Sequence, residues 1–293
     1  MVDKMEAGQT LTSFFRKHTS QQSEWAGNWY DTASYRGMPL PLIYYGTDLE
    51  ATLLNYRSVG GLYHGENVAP ATKHIYKVSA FSSTSNANPC HLILCDYLMF
   101  YPEIETNSIA VQNFTNPVTI PRYTTGEGVK AFLVYTSEAG ILPQKVRVTY
   151  TNSQGVTGRC LGRMPAITMA GSPLVPGIPG LIMTGGAWSG TLQAPHNHGV
   201  FLPLAEGDTG IQSVQNIQFN TPSGISSQAA LVLCKPLCSV AFNNAFAMSE
   251  RNYWMHLPSL PRVMDGAYLA FLRYGGSASV GSLIWGQLDV VWG

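Results

Sequence analysis

Hydrophobic and polar positions along the 293-residue chain alternate or cluster over short distances. The run "KVRVTYT" puts Val146, Val148 and Tyr150 on one side and Lys145, Arg147 and Thr149 on the other, the period of a half-exposed strand. "LILCDYL", "VKAFLVY", "ALVLC", "AYLAFLRY" and "LIWGQLDVVW" are short, β-branched and aromatic runs that predict further strands. Between them "SSTSNANP", "TTGEG", "NSQG", "TPSG" and "YGGSAS" supply turn residues. Near the start, the pattern predicts a helix over 11–17 and a second over 47–57, where Thr47 offers a cap and Leu49, Leu53 and Leu54 an apolar stripe.

The strand runs repeat. "IYKVSAFSSTSNANPCHLILCDYL" (75–98) aligns without a gap on "VQNIQFNTPSGISSQAALVLCKPL" (214–237) at an offset of 139. Ile75 meets Val214, Val78 meets Ile217, Leu92 to Cys95 meet Leu231 to Cys234, and Leu98 meets Leu237. Further on, Pro121 and Arg122 match Pro261 and Arg262, and Phe132, Leu133 and Tyr135 match Phe271, Leu272 and Tyr274. Landmarks in one order at near-constant spacing predict an internal duplication. The expected fold is all-β: two tandem, jelly-roll-like sandwiches at 69–160 and 200–293, preceded by an N-terminal arm or clasp at 1–68 with short helices. A connector at 161–199 holds Pro165, Pro173, Pro176 and Pro179, too Pro-rich for regular structure and too apolar for a free linker, so it is expected to lie pinned across a protein surface. Arg262 is expected to hold its strand entry as Arg122 does.

Composition narrows the function classes. Only 12% of residues are charged and the formal net charge is zero, so neither a basic face for nucleic acid nor an acidic one for cations is expected. A surface this poor in charge favours covering itself by assembly. Five cysteines without a Cys-x-x-Cys pair read as buried reduced thiols. No apolar run reaches the length needed to span a bilayer, and no signal-peptide core is present, so synthesis in a cytoplasm is the expectation.

Candidate chemistry is sparse. His196 and His198 are two apart and would face one way on a strand, as metal ligands do, but no Glu completes the set, and Asn197 with Gly199 reads as a turn. Glu103 and Glu105 on one short segment suit a solvated face better than a glycosidase pair. No nucleophile elbow, phosphate loop or dinucleotide fingerprint occurs. No enzymatic activity, cofactor or resident metal is expected. Trp25, Trp29 and Trp188 could stack on sugar rings, but the first two, with Tyr30, are read in preference as anchors of the arm to the body or to a partner subunit. The final run is nearly uncharged, which makes Trp285, Val291 and Trp292, with Trp25 and Trp29, the expected interface residues.

The segment "PLAEGDTGIQSVQNI" (203–217), with the neutral Gly- and aromatic-rich composition, the tandem sandwich and the arm, resembles structural proteins of tailed bacteriophages. The resemblance implies a non-enzymatic virion component, made in the host cytoplasm, of the capsid cement or decoration kind. Its implied partners are itself, as a homotrimer, and a major capsid protein or another virion protein, without nucleic acid or membrane. A tail, collar or fibre-associated protein and a glycan-binding sandwich module are the alternatives.

Overall fold

The computed structural model describes residues 8–19, 28–83, 90–137, 144–160, 164–166 (backbone only), 180–183, 199–243, 246–253, 260–275 and 282–293. Within these, the N-terminal region supplies β1 (Thr10–His18), β2 (Asn28–Asp31), β3 (Gly37–Met38) and β4 (Thr52–Leu53). Then come β5 (Lys73–Ser82), β6 (Cys90–Glu105), β7 (Gln112–Asn113), β8 (Lys130–Tyr135), β9 (Gln144–Asn152), β10 (Arg159–Cys160) and β11 (Met164–Ala166). The last are β12 (Ile211–Phe219), β13 (Gln228–Phe242), β14 (Ser249–Asn252), β15 (Arg262–Val263), β16 (Leu269–Gly275) and β17 (Leu283–Trp292). Among the described residues, no helix is long and apolar enough to cross a membrane.

These strands form three antiparallel sheets. One outer sheet runs β14-β5-β17-β1-β3 with β15 beside β5; the other runs β10-β9-β12-β7 with β11 beside β9; the middle sheet runs β2-β16-β6-β13-β8 with β4 beside β6. Segments 69–160 and 200–293 contribute strands to every sheet, with β5 pairing β17 and β9 pairing β12 across the divide. The order β16-β6-β13-β8 reads the same in reverse once β6 is exchanged with β13 and β8 with β16, the strands that the 139-residue offset relates.

β6 and β13, 16 and 15 residues long, run across two cores. One end of β6 (Cys90, Leu92, Leu94) packs on Phe15, Ile75, Val78, Ile284 and Leu288 of the first outer sheet. The other end (Tyr101, Ile104) packs on Val146, Val148, Tyr150, Val214 and Ile217 of the second. The opposite face of the middle sheet carries Tyr97, Phe100, Phe132, Val232 and Leu272 under Leu42, Tyr44 and Leu54 of the N-terminal region. With both faces covered, β8 and β16 are buried almost throughout, which is why their sequences are continuous apolar runs. Each fully buried Leu, Ile or Phe here contributes about 1.5–3 kcal/mol. In β9 the alternation predicted from "KVRVTYT" is the one observed, with Val146, Val148 and Tyr150 inside and Lys145 and Arg147 exposed.

Neither expected N-terminal helix forms. Residues 11–17 lie in β1, paired with β17 from Thr10↔Val291 to His18↔Leu283. The edge of β17 offers a full ladder, and the period-two pattern Phe15, Lys17 inside and Thr12, Phe14, Arg16 outside uses it. In 47–57, Leu49 adopts a left-handed φ of 58°, Glu50 bridges Thr115, and β4 follows.

Asp31 fastens this region to the sheet. Its buried carboxylate accepts hydrogen bonds from the Ala33 amide (2.9 Å) and from the hydroxyls of Ser34 (2.8 Å), Tyr44 (2.7 Å) and Tyr97 (2.7 Å). Lys17 points inward and donates to the carbonyls of Tyr35 (3.2 Å) and Pro39 (2.7 Å), pinning that stretch along β1. Burial lowers the Lys17 pKa to about 8 against the opposing pull of Asp31. Of the connector, residues 180–183 bridge to Tyr30 of β2 and Val134 of β8, with Leu181, Ile182 and Met183 buried.

Two further buried anchors sit at the turns. Arg122 donates to both carboxylate oxygens of Asp96 (2.9 and 2.7 Å) and to the carbonyls of Tyr97 and Leu54. Arg262, which matches it in sequence, is exposed instead, because the position matching Asp96 is Lys235 and offers no acid. The Gly-Asp-Thr-Gly turn enters β12, and its Asp208 accepts from Tyr150 (2.6 Å), Asn152 (2.7 Å) and Arg159 (2.9 Å). Burial pulls the Asp208 pKa up, but these donors outweigh it and hold the carboxyl below its ordinary range. A Cβ on Gly210 would lie 1.9 Å from the Gly126 carbonyl oxygen, so only glycine permits this approach.

Candidate interaction surface

Inward positions of β1, β17 and β5 are filled by Phe15, Ile284, Leu288 and Val78, which leaves the alternate positions on the outer face. Register places Met38 of β3 opposite Arg16 of β1, Arg16 opposite Trp285 of β17, and Trp285 opposite Phe81 of β5. One row of side chains thus crosses four strands. The Arg16 guanidinium lies 4.8 Å from the indole centroid of Trp285, and the Phe81 ring stacks on its other side at 6.1 Å and 22°. Phe14, on the same face of β1, is 73% exposed, Met38 69% and Trp285 38%.

This geometry depends on Gly286, paired opposite Phe15. A Cβ at 286 would stand 2.3 Å from the Phe15 ring and 2.2 Å from the Ser79 carbonyl oxygen, so the glycine lets Phe15 lie flat beneath the sheet while Trp285 turns out. The far end of the face is polar: Thr12 donates to Asp289, and Lys77 reaches Asp289 (3.4 Å) and Glu250 (3.6 Å). Burial pulls the Lys77 pKa down, but the two acids outweigh it and raise it.

From Met38 the apolar surface continues along residues 39–45. Leu42 and Tyr44 turn in, Tyr44 packing edge-on to Phe100 at 5.2 Å, while Leu40, Ile43 and Tyr45 turn out. At the other margin, Phe246 and Met248 are exposed beside β5, the Phe246 amide bonding the Ser82 carbonyl. Exposed apolar side chains in this number on neighbouring strands and one adjoining segment depart from the scattered single ones that are the norm for a monomer surface.

Of the residues expected at an interface, Trp285 lies in this row. Trp292 is half-buried against the core with the Lys73 ammonium 6.0 Å from its ring, and Val291 is buried. Trp29 lies on β2, its ring against Tyr274 (5.3 Å) and His91 (5.9 Å), where it fastens β2 to β16 and β6. Trp25, Trp188, His196 and His198 fall outside the described residues. Sequence reasoning missed Phe14, Met38, Leu40, Ile43 and Tyr45; the phrase "MPLPLIYYG" carried the signal in its apolar content, but its inward and outward alternation is broken at Pro41.

Glu105 accepts from the Asn107 amide and the Ser226 hydroxyl. Partial burial and then the charge of Asp48 raise the Glu103 pKa. No group of three or more His, Cys, Asp or Glu among the described residues is placed to hold a metal. The described cysteines are all free thiols, with Cys90, Cys95 and Cys234 buried. A 410 Å³ depression outside β9 and β12, lined by Ile109, Lys145, Arg147, Gln218 and Asn220, is open and holds no acid.

No known protein family and no curated protein matches the chain. Among solved structures it is similar to the VP2 subviral particle of infectious bursal disease virus, at a TM-score of 0.20 and 9% identity over 96% of this chain and 80% of that one. The Gx strain of the same virus gives a TM-score of 0.19 and 8% identity over 97% and 80%. A likeness this slight carries no part of the functional reading, which rests on the surface itself.

Proposed function

We propose that this chain is a non-enzymatic structural protein that works by assembling, and that its setting is a virion, as the resemblance of residues 203–217 implies. The observation that carries the reading is the outer face of the β5-β17-β1-β3 sheet, where Met38, Trp285 and Phe81, in one row with Arg16, and Phe14 beside that row form a largely apolar patch with a polar margin. Such a face binds by area and shape, and on a repeating shell many weak contacts of this kind add through avidity. A capsid-associated cement or decoration protein has this need. The strand correspondences at the 139-residue offset are read as an internal duplication, which would give each chain two related bodies to set against a lattice.

The test separates face from fold. Trp285→Ala with Phe14→Ser should abolish co-sedimentation with virus-like particles while leaving the unfolding midpoint nearly unchanged. Trp292→Ala should lower the midpoint, because that ring packs on the core. A wild-type chain that never co-sediments with particles, or saturable binding on a glycan array that depends on Trp29, would overturn the reading. Association with tails in place of heads would move the protein to the tail-associated class.

A further inference from the structure

The reading of the outer face leaves open what covers its continuation along residues 36–50, and this inference rests on that reading. We propose that this segment is a self-complementary contact, on which the same segment of a second copy packs antiparallel about a twofold axis. Two observations select the occupant.

The first is area. Met38, Leu40, Ile43 and Tyr45 are each about two-thirds to four-fifths exposed. With roughly 150–250 Å² for an aromatic side chain and somewhat less for an aliphatic one, these four present on the order of 600 Å². That is about three-quarters of the roughly 800 Å² one partner contributes to a standard-size interface, before the exposed Arg36 and Asp48 are added, and it stands at the top of the roughly 300–600 Å² of the largest apolar patch on a typical monomer.

The second is charge. "RGMPLPLIYYGTDLE" starts on a cation, Arg36, continues without charge through Thr47, and ends on Asp48 and Glu50. Arg16 joins the cationic end through its pairing with Met38, and Glu103 joins the acidic end, its carboxyl sensing Asp48. Arg36 and Asp48 are exposed, and neither has an ion-pair partner among the described residues. A segment with opposite charges at its two ends is complementary to itself when turned end for end: Arg36 of each copy meets Asp48 of the other while the apolar middles stack. A twofold contact requires this kind of patch, whereas a threefold one requires two different surfaces. A partner of other composition would have no reason to match this reversal.

Because both charged positions are exposed, reversing them leaves the fold intact, which circular dichroism would verify. In sedimentation velocity on the full chain, the wild type should run as a dimer. Arg36→Glu or Asp48→Lys alone should weaken self-association by about tenfold or more, and Ile43→Glu should do the same. The doubly reversed Arg36→Glu/Asp48→Lys chain should recover dimer, since both contacts are restored with their signs exchanged. A monomeric wild type, a trimer that Ile43→Glu does not disturb, or a double reversal no better than the single changes would overturn the proposal. If Ile43→Glu dissociates nothing yet Trp285→Ala still abolishes particle binding, this inference fails and the assembly reading stands.

Discussion

Arg122→Met is the sharpest probe of how the fold is held. The guanidinium is 6% exposed and Asp96 is fully buried, and between them run two charge-assisted hydrogen bonds of 2.9 and 2.7 Å. Methionine keeps much of the volume but removes both, along with the donors to the Tyr97 and Leu54 carbonyls. Asp96 is then left with the Tyr268 amide at 3.0 Å as its remaining donor of those it has here. Stranding one partner of a buried pair costs about 3–5 kcal/mol. At an m-value near 3 kcal/mol per M in urea, the unfolding midpoint should fall by about 1–1.7 M. Burial already holds the Asp96 carboxyl above its ordinary range despite Arg122. Without the guanidinium that pKa rises further, so the deficit should grow as pH rises through it and shrink on acidification, where Asp96 takes up a proton. Arg122→Met/Asp96→Leu should regain most of the lost stability, because an apolar pair leaves no charge behind. A single variant losing less than about 1 kcal/mol, or a double variant as unstable as the two single ones combined, would refute the assignment of Arg122 as anchor.

Three other expectations can be checked by unfolding. His64 donates from Nε2 to the Ala267 carbonyl (2.8 Å) and accepts from Lys73 at Nδ1 (3.2 Å). Burial lowers its pKa to about 4, against the pull of that carbonyl and aided by Lys73. The unfolded chain therefore takes the proton first, and stability present above pH 6.5 is lost as pH falls toward 4, by about 3 kcal/mol. His64→Gln should flatten that part of the profile, and an unchanged acid limb would refute it. Gly286→Ala should cost about 3 kcal/mol or more through its clash with Phe15, and a near-neutral result by denaturation would mean the sheet yields there. Tyr97→Phe removes one of four donors to buried Asp31 and should cost about 2 kcal/mol, with faster amide exchange in β2; exchange confined to β13 would contradict the clasp.

The β class was legible because its signals are local. Alternation around Val146 and Val148, and apolar runs at 130–135 and 269–275, need no knowledge of neighbours. Pairing was not legible, since nothing in residues 10–18 names residues 283–292 as their partner. Leu11, Phe14 and Phe15 fit a helical spacing as well as an extended one, and only the edge of β17 decides. The repeat was visible in spacing, yet it misled at Arg262, where a matching arginine faces no matching acid. Exposed Met38, Leu40, Ile43 and Tyr45 were visible as apolar content but not as a surface, because Pro41 shifts the alternation and tertiary contacts of Tyr44 with Asp31 choose which side faces out.

The pairing of β1 with β17 also sets an order of events. During synthesis β1 leaves the ribosome before its partner, with every other described strand between them, so the outer sheet stays unclosed while those strands emerge. Loop closure over such a span slows folding, and an unpaired strand carrying Phe14 and Phe15 is in the meantime a template for wrong partners. The seam between β1 and β17 thus closes after the strands between them are made, and in a crowded cell it is a step at which yield can be lost.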